Sequence, residues 1–336
     1  MAMTRRAFVR LTAIIAGVFG LAAAILLFLH HHPEAILALV GMAGFGLLWL
    51  VPVRVAVLAL NAEGWRALLP GERQATLPLL TAAAFVRNAV NTLLPVAHVG
   101  GEVVATRLLA RRGLPMPMTI ASVVVETTVT LFVQIVLLVV GLGLLASYAG
   151  SGPLARHLWW GLVVAIPIVL AFVFVQRRSR PFLRLQRLAA RVAGASFVAG
   201  LDGEAIDRAI AHLYDRPREW VRCAVWQMAS ALGGAGEFWV ILKLLHQPAG
   251  LRLCVVLESL IQALQSAAFL VPGALGVQEG GLVGIGAVAG LAPEVALAVS
   301  LVRRIRQVGI SLPVLWLGMR AAAGDGDHGD RIAKTG

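Results

Sequence analysis

The chain has 336 residues, of which 59% are hydrophobic and only 14% charged, with a mean hydropathy of +0.84. A soluble domain of this size needs far more polar side chains to cover its surface, so that class is excluded. The net charge of +12 does not indicate nucleic acid, because the arginines gather between apolar segments, as they do in cytoplasmic loops.

In chain order, apolar runs long enough to cross about 30 Å of hydrocarbon predict full spans near 9–29, 35–53, 118–146, 158–176, 220–245 and 295–318. The first follows Arg5, Arg6 and Arg10. Its apolar run exceeds that of a signal peptide, so it is read as an uncleaved span. Arg54, Arg66 and Arg73 follow the second span. The basic stretch 177–219 carries nine arginines. Placing all of these on the inner side puts both termini in the cytoplasm, and a bacterial inner membrane is the expected location. Residues 182–198 form an amphipathic basic segment suited to anionic lipid on the inner leaflet; a solvated loop is the other reading. The Gly/Asp-rich tail 321–336 lacks apolar periodicity and is expected to be disordered. Cys223 and Cys254 fall near opposite ends of one span, too far apart for a disulfide.

Two stretches do not fit as full spans. Residues 77–112 run from an apolar helix through "LLPVAHVGG" to a shorter helix, and 254–292 repeat that plan around "LVPGALGVQEGG". Irregular backbone at membrane depth is tolerated where it is buried in protein or lines a wet cavity. Each is therefore read as a re-entrant hairpin, broken at Pro95, Gly100 and Gly101 in one and at Pro272, Gly273 and Gly276 in the other. The two align at an offset of 177 residues: Pro95 with Pro272, Glu102 with Glu279, Gly113 with Gly290, and Leu114 with Leu291. Three full spans lie between them, an odd number that inverts the second copy. The expected fold is an all-α polytopic membrane protein with about six spans and two re-entrant hairpins in an inverted repeat. Residues 1–147 form the first unit, 148–320 the second and 321–336 the tail. Opposed broken helices of this kind build midplane sites in alternating-access transporters; close helix packing through glycine is the alternative use.

Charged groups at membrane depth are costly and usually face a cavity or a partner. Arg87, Asn88 and Asn91 precede the first break and Glu102 follows it. Gln262 and Gln265 precede the second, with Gln278 and Glu279 after it. These are the candidate substrate-binding residues. Glu102 and Glu279 start the return helices, where a carboxylate serves equally as a cap or as a functional group. Two roles fit Arg87: a headgroup ligand, or a buried pair with Glu102 or Glu126. Glu126, Glu237, Arg303 and Arg306 are candidate coupling or gating groups. Glu126 and Arg303 occupy equivalent repeat positions and similar depth, so a pair between them is expected, either a static pin or a gate. Glu237, flanked by glycines, could instead satisfy a neighbouring backbone. Arg304 lies about 100° around the helix from Arg303.

The segments "NTLLPVAHVGGEVVATRLLARRG" and "LVPGALGVQEGGLVGIGAVAGL" resemble the paired N-x-x-x-P…GE and P…G-x-x-E signatures of the flippase-like membrane family that includes the transmembrane region of lysylphosphatidylglycerol synthases. The similarity covers 1–320, and the arrangement also resembles the hopanoid-biosynthesis-associated branch. The resemblance implies movement of a polar-headed or amphipathic lipid (phospholipid, glycolipid or hopanoid) between leaflets. The soluble aminoacyl-transfer domain of the full synthase is not read here, which turns the expectation from lipid modification to translocation. No phosphate loop, serine elbow or HExxH occurs, so no ATP, cofactor or metal is expected; coupling would use protons at Glu126 or Glu237, or no energy source. A lipid-modifying enzyme and a scaffold for lipid-biosynthesis enzymes are the rival readings. Homo-oligomers or such enzymes are the protein partners that fit.

Overall fold

A computed structural model describes the backbone of residues 5–93, 100–149, 167, 202–247, 249–268 and 274–333, and within these the side chains from Gly17 to Arg320 apart from 146–149 and Met319. Among the described residues the structure is helical, without strands. The elements are α1 (Arg5–His30), α2 (Pro33–Ala43), α3 (Leu50–Ala67), α4 (Leu77–Leu93), α5 (Gly100–Arg111), α6 (Met116–Ala149), α7 (Gly203–Tyr214), α8 (Pro217–Leu244), α9 (Leu251–Ala267), α10 (Val277–Val288) and α11 (Pro293–Ala333).

The expected second span, 35–53, is longer than the sequence suggested. A 3₁₀ turn at Gly44–Trp49 joins α2 to α3, and the helical path runs on to Ala67. Arg54 is therefore not in a loop after the span but inside α3. Its neighbours "VPV" and "VAVLAL" are apolar on both sides, so no turn signal interrupts the helix. The paths Pro33–Ala67 and Met116–Leu145 each contain an 18-residue stretch of mean hydropathy 2.3 and 2.5 and are long enough to cross a membrane. Phe19, Leu26, Leu37, Phe45 and Trp49 stand exposed along α1 to α3, which suits a lipid-facing surface.

The expected hairpins each fold as a long and a short helix of matching length. In α4 and α5 these are 17 and 12 residues, and in α9 and α10 again 17 and 12. Both short helices end in the same way. Gly113 and Gly290 take φ of +89° and +79°, a left-handed conformation that glycine alone adopts without strain. The following leucine then donates back, Leu114 to the Leu109 carbonyl at 3.3 Å and Leu291 to Gly286 at 2.7 Å. This is the Schellman ending, and it accounts for the repeated Gly-Leu in physical terms. The expected breaks at Pro95, Pro272 and Gly273 lie outside the described residues, as do the span at 158–176 and the segment 182–198.

Within the basic stretch 177–219, residues Gly203–Tyr214 form α7. Asp202 caps it by accepting from the Ala205 N–H at 2.9 Å, and Ile206, Ile210 and Leu213 bury against Leu68, Val125 and Cys223. The stretch is thus partly docked on the bundle. The tail expected to be disordered is helical as far as Ala333, continued from Ala321–Ala323, where alanine favours the helix most. Both cysteines are free and buried.

The largest core cluster joins α2, α3, α8, α9, α10 and α11 around Ile36, Leu50, Phe238, Leu257 and Val299. A second packs Trp65, Leu80, Leu109 and Val123. Between these apolar walls runs a polar seam.

Candidate functional site

The seam is built from single faces of several helices. On α8, Gln227, Ser230, Gly234 and Glu237 follow one another at three- and four-residue steps and are all buried, so they form one polar stripe. On α3, Arg54, Asn61 and Trp65 share a face in the same way. Arg87, Asn88 and Asn91 come from α4, Gln262 and Gln265 from α9, and Arg303, Arg306 and Gln307 from α11. These helices enclose a cavity of about 280 Å³. Of the expected site residues, Arg87, Asn88, Asn91, Gln262, Gln265, Gln278, Arg303 and Arg306 line it. Glu102, Glu126, Glu237 and Glu279 do not, but each holds an arginine nearby.

Arg87 is bonded on several sides. It donates to the Glu126 carboxylate through Nη1 at 2.7 Å and Nη2 at 3.2 Å, a two-pronged geometry that only arginine provides. Nη2 also reaches Asn61 Oδ1 at 2.8 Å, and Nη1 reaches Glu102 at 3.4 Å. Glu126 accepts in addition from Asn61 at 3.2 Å and from Gln227 at 2.8 Å. The guanidinium lies 5.0 Å from the Trp65 ring, and that indole donates to Ser122 at 2.9 Å. Of the two roles open to Arg87, the buried pair is the one this geometry presents.

The expected pair of Glu126 with Arg303 does not form. Arg303 instead faces Glu258 at 3.7 Å and lies 4.3 Å from the Phe238 ring. Equivalent position and depth were not enough: the rotation of α6 turns Glu126 to α4, and that of α11 turns Arg303 to α9. Glu237 does not serve a backbone; it pairs with Arg306 at 2.8 Å and stands 3.9 Å from Arg54. Arg54 Nη2 donates to Asn88 Oδ1 at 3.2 Å.

A third network ties the second break to α11. Glu279 accepts from the Gly276 N–H at 2.7 Å, capping α10, and from Arg304 Nε at 3.0 Å. Ser300 joins Gln278 and Glu279, and Gln265 donates to Gln278 at 2.7 Å. Arg304, off the Arg303 face as expected, thus has its own partner. At the first break the cap comes from elsewhere: Asn91 Oδ1 accepts from the Gly101 N–H at 2.9 Å. So Asn91 and Glu279, expected to bind substrate, also close helix ends.

The site residues not anticipated from sequence are Arg54, Asn61, Trp65, Gln227, Thr92 and Gln307. Gln307 donates to Thr92 at 3.2 Å, linking α11 to the end of α4. Recurring polar residues at helical spacing inside apolar segments were the available signal, plainest along α8.

These features define an all-helical protein with apolar helices of membrane-spanning length, whose charges converge on one cavity. Residues 11–314 match the family described as the lysylphosphatidylglycerol synthase TM region, and the chain belongs to that family. The membership ties it to membrane lipid. No curated protein and no solved structure matches the chain.

Proposed function

We propose that the chain is a lipid transporter, not an enzyme, that moves a polar-headed lipid between leaflets by alternating access. The headgroup enters the cavity while the tails stay in the surrounding lipid. The observation that carries this reading is the cavity itself. At about 280 Å³ it is at the small end of ligand pockets, the scale of a headgroup and not of a whole lipid. Its wall is charged in a protein that also exposes many large apolar side chains, and such charges are retained at membrane depth for function or as paired supports.

The matched helix pairs α4–α5 and α9–α10 support the architecture. In this reading they are re-entrant hairpins inserted from opposite sides, one in each of two inverted units, 1–147 and 148–320, and the cavity between them opens to each leaflet in turn. Both termini face the cytoplasm of a bacterial inner membrane, where the basic stretch 177–219 meets anionic lipid.

The test is a flipping assay in proteoliposomes with headgroup-labelled phospholipid, glycolipid and hopanoid probes, the outer-leaflet label being quenched chemically. Protein-containing vesicles should redistribute at least one probe several times faster than empty ones, and the wall variant Arg303→Gln should slow it. A covalently altered probe without redistribution would replace transport with enzymology, and no acceleration of any probe would remove the transport reading.

A further inference from the structure

The cavity wall is electrically lopsided. Toward α9 and α11, the guanidiniums of Arg54, Arg303 and Arg306 face two carboxylates among the described residues, Glu237 and Glu258. The closest contact is Arg306–Glu237 at 2.8 Å, and Arg303–Glu258 and Arg54–Glu237 stand at 3.7 and 3.9 Å. None of the three is a formed hydrogen bond, and Glu237 Oε1 and Gln262 Oε1 are acceptors without a hydrogen-bond partner beside them. Toward α5 and α6 the balance reverses, with Arg87 against Glu102 and Glu126. The two walls cancel overall, so the field across the cavity has a direction.

The positive wall also carries unused donors. Arg54 Nε, Arg303 Nη1 and Arg306 Nε are buried without a hydrogen-bond partner. All three arginines line the cavity. A buried guanidinium donor left unmade is costly, and one excess positive charge in a low-dielectric wall costs more. An anion with several oxygens placed there removes both costs, since guanidinium donors match phosphate oxygens in fork geometry. Arg87 is unsuited to that task because Glu126 and Asn61 already use its donors.

Resting on the transport reading, we propose that Arg54, Arg303 and Arg306 form an anion subsite, and that the transported lipid has a net negative, phosphate-bearing headgroup. The headgroup phosphate takes the position between the three guanidiniums, and Glu237 and Glu258 hold the arginines in place without neutralising them fully.

Binding to the full chain in detergent is measured by native mass spectrometry with three probes: phosphatidic acid, phosphatidylcholine and inorganic phosphate. Wild type should prefer phosphatidic acid to phosphatidylcholine by about tenfold or more. Arg303→Gln should abolish most of that preference and Arg303→Lys should keep part of it, whereas Arg66→Gln, which removes a charge paired with Glu63 away from the cavity, should leave it unchanged. Glu258→Gln frees Arg303 and should tighten phosphatidic acid several-fold, a gain that misfolding cannot produce. Competition by inorganic phosphate at equal concentration would assign the subsite to a free ion and overturn the lipid assignment. Equal binding of both lipids, or tighter binding absent in Glu258→Gln and preference unchanged in Arg303→Gln, would overturn the subsite. Flipping that is indifferent to headgroup charge and to Arg303 leaves transport standing without it. Selective anionic-lipid binding with no flipping leaves the subsite standing without transport.

Discussion

Removing the Glu126 carboxylate tests a pair that ties α4, α6, α3 and α8 together. In the single variant Glu126→Leu, Arg87 loses its contacts at 2.7 and 3.2 Å. It keeps Asn61 and, at 3.4 Å, the partly exposed Glu102. Asn61 and Gln227 each lose an acceptor as well. Breaking a buried pair from one side typically costs about 3–5 kcal/mol, because the remaining charge is stranded. The accompanying amide losses overlap with that figure and do not simply add. Replacing both partners, Arg87→Met with Glu126→Leu, strands nothing and leaves side chains of similar size. The double variant should therefore recover at least about 2 kcal/mol relative to the sum of the singles. Unfolding of the four proteins in mixed micelles by SDS titration, followed through tryptophan fluorescence, measures the cycle. Trp65 against Arg87 makes the signal local as well as global. Additivity within about 0.5 kcal/mol would show that the pair is not the energetic unit its geometry describes.

The remaining predictions concern the helix ends and the packing around the site. Asn91→Ala leaves the Gly101 N–H without its acceptor and should lower stability by about 0.5–2 kcal/mol, with increased hydrogen exchange confined to the start of α5. Gly276→Ala should be more damaging, because the residue sits at φ +77° and a Cβ there would lie 2.6 Å from the Gly20 carbonyl oxygen; failure to express as a monodisperse protein is the expected outcome. Trp65→Phe keeps a ring beside Arg87 but strands Ser122 without its donor, and should cost about 1–2 kcal/mol in the same SDS titration. Gly234→Ala places a methyl group against the Glu258 carboxylate, which should displace it from Arg303 and change flipping more than it changes stability.

What could be read from the sequence was whatever depends on local composition. The apolar runs placed α1, α6, α8 and α11, and the Pro/Gly interruptions placed both helix pairs, because hydrophobic length and helix breakers act within a few residues. Pairing was less legible. A buried pair of Arg87 with Glu102 or Glu126 was among the readings and is present, whereas Arg303–Glu258 and Arg306–Glu237 were not foreseen; the choice among nearby partners turns on helix rotation, which composition does not report. Arg54 was misplaced because arginine was treated as a loop marker. The positive-inside rule counts charges flanking a span, whereas a lone arginine with apolar residues on both sides in an unbroken helix is a buried group requiring a partner, and Arg54 finds Glu237 and Asn88.

The two helix pairs separate what a backbone must share from what it need not. Gly113 and Gly290 adopt the same left-handed conformation, and the leucines after them make the same return bond, since ending a helix against its neighbour poses a backbone problem with few solutions. The glutamates also recur, at 102 and 279, each in the first turn of its helix. Their partners do not. Glu102 meets an arginine from the helix before it, Arg87, and Glu279 one from the helix after it, Arg304. The positions matching those arginines at the 177-residue offset are Leu264 and Thr127. The helix starts diverge too, one capped by the Asn91 side chain and the other by its own glutamate. A carboxylate near a helix N-terminus is favoured by the dipole whatever cation completes it, so the two helix pairs can take different partners without losing the helix. That freedom lets two helix pairs of matching length end alike and still take different partners.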